Sequence, residues 1–183
     1  AERPVDEKIL IQTTSTQFSN DINKIKHKII REVLKFFNIK KRIQISTFST
    51  LPTGSGIGSS SSLIVGLIVA ILKLKKIFFS KAKIAKTAYF IERKILKLKG
   101  GWQDQIIASY GGVQLINISN KGHFNSKSIK VKKNLIKIEK KLILVFTNET
   151  RNSSKIISFQ KNNLKKTIEQ YDMIKLLVPQ MHD

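Results

Sequence analysis

The chain has 183 residues with a formal net charge of +22, and 41% of its residues are hydrophobic. This length and apolar content allow one domain of ordinary size with a buried core, and they exclude a disordered tail. The absence of cysteine excludes disulfide frameworks and thiolate metal sites, and it favours a reducing compartment such as the cytoplasm.

The positive charge by itself is typical of proteins that bind nucleic acid or an anionic surface. Here it comes almost entirely from lysine, because arginine occurs only at positions 3, 31, 42, 93 and 151. Arginine is the residue that contacts guanine and phosphate through paired hydrogen bonds. The lysines are spread along the whole chain, and the many Ile and Asn residues beside them are typical of an AT-rich coding sequence. We therefore predict no specific nucleic-acid partner, although the charge should attract phosphorylated metabolites.

No segment has the pattern of a membrane span or a signal peptide. The longest apolar run, Leu63–Leu72, is about half as long as the roughly 20 residues that cross a bilayer. The first seven residues lack the apolar centre of a signal peptide. The sequence therefore predicts no membrane partner.

Hydrophobic spacing predicts a strand, a helix and a second strand over the first 50 residues. Val5–Thr13 has a short apolar centre and is predicted to be a strand. From Asp21 to Phe37 apolar residues recur every three or four positions, which predicts one helix that ends at Asn38. The alternation over Arg42–Ser49 predicts the second strand.

A loop rich in glycine and serine follows this second strand. Leu51–Ser62 holds three glycines and five serines, and the next segment, Leu63–Leu74, is apolar on nearly all sides. Glycines let an anion approach backbone amides closely, and a following helix directs its free N–H groups at that anion. No Lys-Ser or Lys-Thr follows the last glycine, so this is not a Walker A loop. The pattern predicts a phosphate-binding loop, and a flexible linker is the alternative.

The rest of the chain again mixes helices and strands. Ser80 can cap a helix that reaches Leu98 and ends at Gly100–Gly101. Strands are predicted at Gly112–Ile118 and Leu142–Thr147, and a helix is predicted over Ser158–Val178. This mixture favours the α/β or α+β class.

Two carboxylates downstream of the loop are candidates for phosphoryl-transfer chemistry. Glu92 and Asp104 are separated by a predicted helix end and a glycine turn, so both can face one cleft. One carboxylate could hold a metal across the phosphates and the other could orient an acceptor hydroxyl. Taken alone, Glu92 beside Arg93 and Lys94 is also typical of a solvated helix charge. Asp104 after two glycines is also typical of a turn.

The loop resembles the phosphate-binding motif of the GHMP kinases, a family named after galactokinase, homoserine kinase, mevalonate kinase and phosphomevalonate kinase. Pro52–Ser61 has the family's pattern Pro-x-x-x-Gly-Leu-Gly-Ser-Ser-Ala/Ser, with Ile57 in the leucine position. The resemblance implies that ATP binds at Pro52, Gly54, Ser55, Gly56, Ile57, Gly58, Ser59, Ser60 and Ser61. It also implies that Ser60, with Ser59 beside it, contacts Mg²⁺.

A second segment, Gly100–Gln105 followed by Ile106–Gly112, resembles the part of heptose 7-phosphate kinases and fucose kinases that carries their catalytic Asp. This resemblance implies that Asp104 is catalytic and that Glu92 is a ligand of Mg²⁺. The implied function is ATP-dependent phosphorylation of a hydroxyl on a small-molecule sugar or sugar phosphate, with heptose 7-phosphate as the type of substrate.

The resemblance implies an α+β fold, that of the GHMP kinase N-terminal domain, with a mixed sheet packed by helices. Residues 1–147 would be the ATP-binding domain and residues 148–183 the incomplete start of a C-terminal domain. The family's first and third motifs have no match here, so we expect a fragment of a longer enzyme. A non-catalytic nucleotide-binding remnant of the same fold is the alternative, followed by a basic nucleic-acid-binding domain.

Overall fold

The computed structural model describes residues 1–3, 5–50, 55–130, 140–143, 145 and 153–180. The strands are β1 (Ile9–Gln12), β2 (Thr16–Ser19), β3 (Ile43–Ser46), β4 (Gln114–Ile118) and β5 (Phe124–Ser128). The α-helices are α1 (Lys28–Phe36), α2 (Ser59–Leu74), α3 (Lys81–Tyr89), α4 (Gln103–Tyr110), α5 (Ser153–Asn162) and α6 (Leu164–Gln180). A 3-10 turn spans Ile22–Lys24, and a π-helical segment, Phe90–Ile95, continues α3.

The first three strands form a mixed sheet with β1 at its centre. β1 pairs with β2 in the antiparallel sense and with β3 in the parallel sense. Three successive residues of β1, Ile9 to Ile11, are buried, so both faces of this central strand are covered. The mixed sheet packed by helices agrees with the fold predicted from the sequence. β4 and β5 form a separate antiparallel pair.

Helix α2 is the centre of the hydrophobic core. Most of its apolar residues are buried, and it contacts α1, α3, α4 and the π-helical segment, while Ser62, Gly66 and Ala70 are exposed. The buried core residues include Ile9, Ile11, Ile30, Val33, Leu34, Ile43, Ile64, Ile68, Ile71, Ala88 and Ile91. Among the helices that the structure describes, none combines the length and apolar character needed to cross a bilayer.

The single helix predicted from Asp21 is wrong in its first part. The Asp21 side chain accepts a hydrogen bond from the Asn23 N–H (2.8 Å) and caps only the 3-10 turn. The chain is then extended at Ile25, and His27 caps α1 through Nδ1, which accepts from the Ile30 N–H (3.4 Å). Two capping side chains thus divide one apolar period into two elements. His27 therefore has a structural role here.

Other predicted elements differ from the structure in extent. The predicted C-terminal helix is two helices, α5 and α6, with a turn at Asn163. The strands β2 and β5 were not predicted, since both are short and rich in polar residues. Positions 144, 146 and 147 of the predicted strand 142–147, and the predicted domain boundary between 147 and 148, lie outside the described residues. That boundary stays a prediction.

Candidate active site

The described part of the glycine-serine loop ends in a left-handed turn at the start of α2. Gly56 and Gly58 have φ angles of 78° and 73°, a region that residues with a Cβ rarely adopt. Gly58 is the N-cap of α2, and no side chain caps this helix end. The first-turn N–H groups are therefore available to an anion. Pro52 and Gly54 of the predicted ATP-binding motif lie outside the described residues.

The serines after Gly58 form the first turn of α2 rather than part of the loop. Ser60 Oγ donates a hydrogen bond to Glu92 Oε1 (2.7 Å), and Ser61 Oγ donates to Glu92 Oε2 (2.6 Å). Ser59 is exposed, as is Ile57, whose side chain is an apolar group at the loop surface. Of Ser59 and Ser60, the two predicted to contact Mg²⁺, Ser60 is the one whose hydroxyl forms a hydrogen bond with the Glu92 carboxylate.

Glu92 is buried, with 2% of its surface exposed, so it is not a solvated helix charge. It lies in the π-helical segment, where the extra residue in the turn changes the direction of the side chains. The consecutive residues Ile91 and Glu92 are both buried. The carboxylate receives the two serine hydrogen bonds, and the Arg93 guanidinium lies 3.6 Å from its Oε1. These donors offset the cost of burying the charge.

Gln105 is a site residue that the sequence analysis did not select. Its Nε2 donates to Glu92 Oε2 (2.5 Å) and to Ser61 Oγ (3.1 Å), and its side chain is fully buried. It lies beside buried Ile106 on the inner face of α4. A polar residue on the buried face of a helix was the signal that could have identified it.

Arg93 holds the turn that leads to Asp104. Its guanidinium donates to the carbonyl oxygens of Leu98 (3.4 Å), Lys99 (3.2 Å) and Gly101 (3.2 Å). A Cβ at Gly100 would lie 2.3 Å from Arg93 Nη2, so only glycine fits in this turn without displacing the guanidinium. Arg93, which directly follows Glu92, thus holds the segment before Asp104 in place through hydrogen bonds.

Asp104 lies in the first turn of α4 and is half-buried, so the interpretation of this residue as part of a glycine turn is wrong. It packs against the loop glycine Gly58, since a Cβ at Gly58 would lie 3.2 Å from Asp104 Cγ. Helix α4 therefore brings Asp104 to the loop that precedes α2.

These groups line one cavity of about 490 Å³. Its walls include Gly56, Gly58, Ser59, Ser60, Glu92, Arg93, Lys99, Asp104 and, from α5, Ile156 and Gln160. The predicted metal ligands and the predicted catalytic carboxylate therefore share one cleft with the end of the loop. Ser61 is buried behind Ser60, and Ser55 and Ile57 are not among the residues that line this cavity.

The oxygen donors in the cavity fit Mg²⁺. Ser60 Oγ and Glu92 Oε1 are hard oxygen ligands only 2.7 Å apart, and Mg²⁺ usually takes one or two protein oxygens while keeping waters and phosphate oxygens. The described residues contain no group of three or more His, Asp and Glu side chains that could hold a metal by themselves. The site suits an ion that arrives with a nucleotide.

Replacing Gly58 by Ala is expected to impair the site in two ways. The positive φ strains any residue with a Cβ, by about 1 kcal/mol, and the new methyl would displace Asp104. Gly122→Ala is the matched control, because Gly122 has φ 75° with open space around its Cβ position. We expect similar losses of thermal stability in the two variants, but weaker nucleotide binding in Gly58→Ala alone. Equal nucleotide affinity in both variants would contradict the close contact between Gly58 and Asp104.

Known proteins resemble this chain over most of its length. Residues 23–112 match the family described as "GHMP kinases N terminal domain". The chain is 35% identical over 152 residues to a D-glycero-alpha-D-manno-heptose 7-phosphate kinase of Campylobacter jejuni, covering 80% of this chain and 44% of that protein. It is 32% identical over 111 residues to a mevalonate kinase of Saccharolobus solfataricus, covering 56% of this chain and 35% of that protein. The chain thus spans less than half the length of these relatives.

Solved structures share the fold. A D-glycero-D-manno-heptose 1-phosphate kinase from Bacteroides thetaiotaomicron superposes with a TM-score of 0.67 at 23% identity, covering 74% of this chain and 48% of that one. A putative sugar kinase from Campylobacter jejuni gives a TM-score of 0.65 at 25% identity, covering 96% of this chain and 59% of that one. The described end of the loop, the helix after it and the α+β core agree with this match, and residues 23–112 belong to the family of GHMP kinase N-terminal domains.

Proposed function

We propose that this protein takes part in transferring the γ-phosphate of ATP to a hydroxyl of a sugar phosphate, of the heptose 7-phosphate type. The observation that carries this proposal is the shared cavity. The Ser60–Glu92 pair lies at one wall and Asp104 lies beside the loop glycine Gly58. Phosphoryl transfer needs this combination of a metal ligand pair, a phosphate-binding helix start and a carboxylate for the acceptor.

Each residue then has a distinct task. The loop, with the exposed amides at the start of α2, binds the phosphates of ATP. Ser60 and Glu92 would hold Mg²⁺, which would neutralise charge on the phosphate oxygens. Asp104 orients the acceptor hydroxyl and accepts its proton as the oxygen attacks the γ-phosphorus, the bond from that phosphorus to the bridging oxygen breaks and ADP leaves. In this assignment Ser61 supports Glu92 and does not contact the metal.

The acceptor is inferred from the relatives and from the charges in the cavity. The similar proteins from Campylobacter jejuni and Bacteroides thetaiotaomicron are named as kinases of heptose phosphates. The cavity is also lined by the cationic side chain of Lys99, which suits an anionic acceptor. We propose that the reaction takes place in the cytoplasm, in keeping with the absence of cysteine.

An acceptor panel tests the proposed reaction. The natural gene product would be incubated with Mg²⁺, radiolabelled ATP and each of heptose 7-phosphate, fucose, mevalonate and homoserine. We expect transfer to the heptose phosphate to be the fastest. Faster transfer to mevalonate or homoserine would refute the proposed substrate class. Nucleotide binding without transfer to any acceptor would instead support the non-catalytic alternative.

A further inference from the structure

We propose that Gln105 is a positioning residue, which fixes the Glu92 carboxylate in one orientation and so reserves Oε1 for the metal. This inference rests on the proposed function, because it concerns how the Mg²⁺ ligand is held. Gln105 directly follows Asp104 in the chain, so the same helical turn would set both the acceptor carboxylate and the metal carboxylate.

The two oxygens of Glu92 have different surroundings. Oε1 accepts from Ser60, which lines the cavity, and lies 3.6 Å from Arg93 Nη1. Oε2 accepts from Ser61 and Gln105, both of which are at most 1% exposed. One oxygen therefore faces the cavity and the other faces the protein interior. Only Oε1 is placed where an ion bound to nucleotide phosphates can reach it.

The carboxylate needs a support to keep this arrangement. Rotation about the last side-chain bond of glutamate is soft, so a single hydroxyl contact on each oxygen holds it weakly. Gln105 Nε2 bridges Glu92 Oε2 and Ser61 Oγ, and closes a buried triangle of three hydrogen bonds. This triangle joins α4, α2 and the π-helical segment at the metal ligand. Groups that orient a metal ligand in this way commonly change metal affinity when they are removed.

The orientation of the Gln105 amide indicates that this residue acts as a hydrogen-bond donor. Among the described residues no group donates a hydrogen bond to its buried Oε1. The reversed amide would place an acceptor oxygen against the carboxylate oxygen Glu92 Oε2, which is unfavourable. A glutamine that only filled core volume would have no need of this contact, since an apolar residue of equal size would avoid the unsatisfied oxygen.

The test compares two variants of α4. Gln105→Met keeps the length of the side chain and removes the donor, whereas Ile106→Val trims the neighbouring buried residue, whose side chain has no hydrogen-bonding group. For each variant, calorimetry measures the affinity for the ATP analogue AMP-PNP with excess Mg²⁺ and with EDTA. A thermal melt of each variant measures stability. The ratio of the two affinities isolates the contribution of the metal.

We expect Gln105→Met to bind metal-free AMP-PNP as the wild type does, and to lose about tenfold or more of the affinity gained with Mg²⁺. Ile106→Val should keep the full gain even if its melting temperature falls. A full Mg²⁺ gain in Gln105→Met, with the gain lost in Glu92→Gln, would overturn the positioning role and leave the proposed metal site intact. A full gain in Glu92→Gln as well would overturn the metal site itself. Equal losses with and without Mg²⁺ in Gln105→Met would assign the residue a structural role only, which also overturns the inference.

Discussion

Replacing Asp104 by Asn is expected to lower kcat for phosphoryl transfer by about 10²–10⁴-fold, the usual contribution of a positioned general base. The amide has the same shape as the carboxylate but cannot accept the proton of the acceptor hydroxyl. Because Asp104 packs against Gly58 and an isosteric amide preserves that contact, ATP affinity should stay near the wild-type value. Steady-state kinetics in the natural gene product, with a separate nucleotide titration, measures both quantities.

Asp172→Asn is the matched control for this substitution. Asp172 is an exposed residue of α6 that pairs with Lys175 (3.9 Å), and its replacement changes the net charge by the same amount. This variant should retain wild-type kcat, because surface ion pairs of this kind contribute little. Full activity in Asp104→Asn would refute the catalytic assignment. Loss of activity in both variants would indicate that the overall charge, and not a positioned base, determines the rate.

Replacing Glu92 by Gln is expected to cause the second large effect, a loss of the Mg²⁺ dependence of nucleotide binding and of about 10²-fold or more in kcat. Metal stabilisation of phosphoryl charge is worth several kcal/mol, and each 1.36 kcal/mol changes a rate about tenfold. The new amide also carries donor hydrogens into a pocket where Ser60, Ser61 and Gln105 already donate. Affinity for metal-free nucleotide should change much less than affinity for the Mg²⁺ complex.

Glu32→Gln provides the control, because Glu32 forms its ion pairs with Arg31 (2.9 Å) and Lys35 (3.8 Å) on α1, and it is not among the residues that line the cavity. Nucleotide binding by Glu32→Gln should depend on Mg²⁺ as it does in the wild type. A thermal melt of Glu92→Gln separates a lost metal ligand from a lost fold. Unchanged Mg²⁺ dependence in a folded Glu92→Gln protein would remove Glu92 from the metal site.

The parts of the fold with strong local patterns could be predicted from the sequence. The wholly apolar run after the loop could only be a buried element, and it is α2. The cap at Ser80 is present, with its Oγ accepting from the Lys83 N–H (3.3 Å). The helix predicted from Asp21 to Phe37 is wrong in its first part, because capping by Asp21 and His27 outweighed a regular apolar period. Short-range hydrogen bonds at helix starts are not visible in the spacing of apolar residues.

The sequence indicated most residues of the site but not how they are arranged in space. The resemblance indicated Ser60, Glu92 and Asp104, but the burial of Glu92 in the π-helical segment depends on the packing of that segment against α1 and α2. Helix α4 was missed because it follows two glycines and is only eight residues long. The role of Gln105 depends on a contact with a residue 13 positions away, which no local pattern specifies.

The structure of this chain in complex with Mg²⁺ and AMP-PNP tests the central claim most directly. We predict that the ion lies about 2.1 Å from Ser60 Oγ and Glu92 Oε1, with the γ-phosphate at the start of α2 and facing Asp104. A second cavity, of about 470 Å³, lies between β3 and α2 and is lined by Ile45, Leu67 and Ile71. A nucleotide bound there, or a metal ion without contact to either Ser60 or Glu92, would contradict the account.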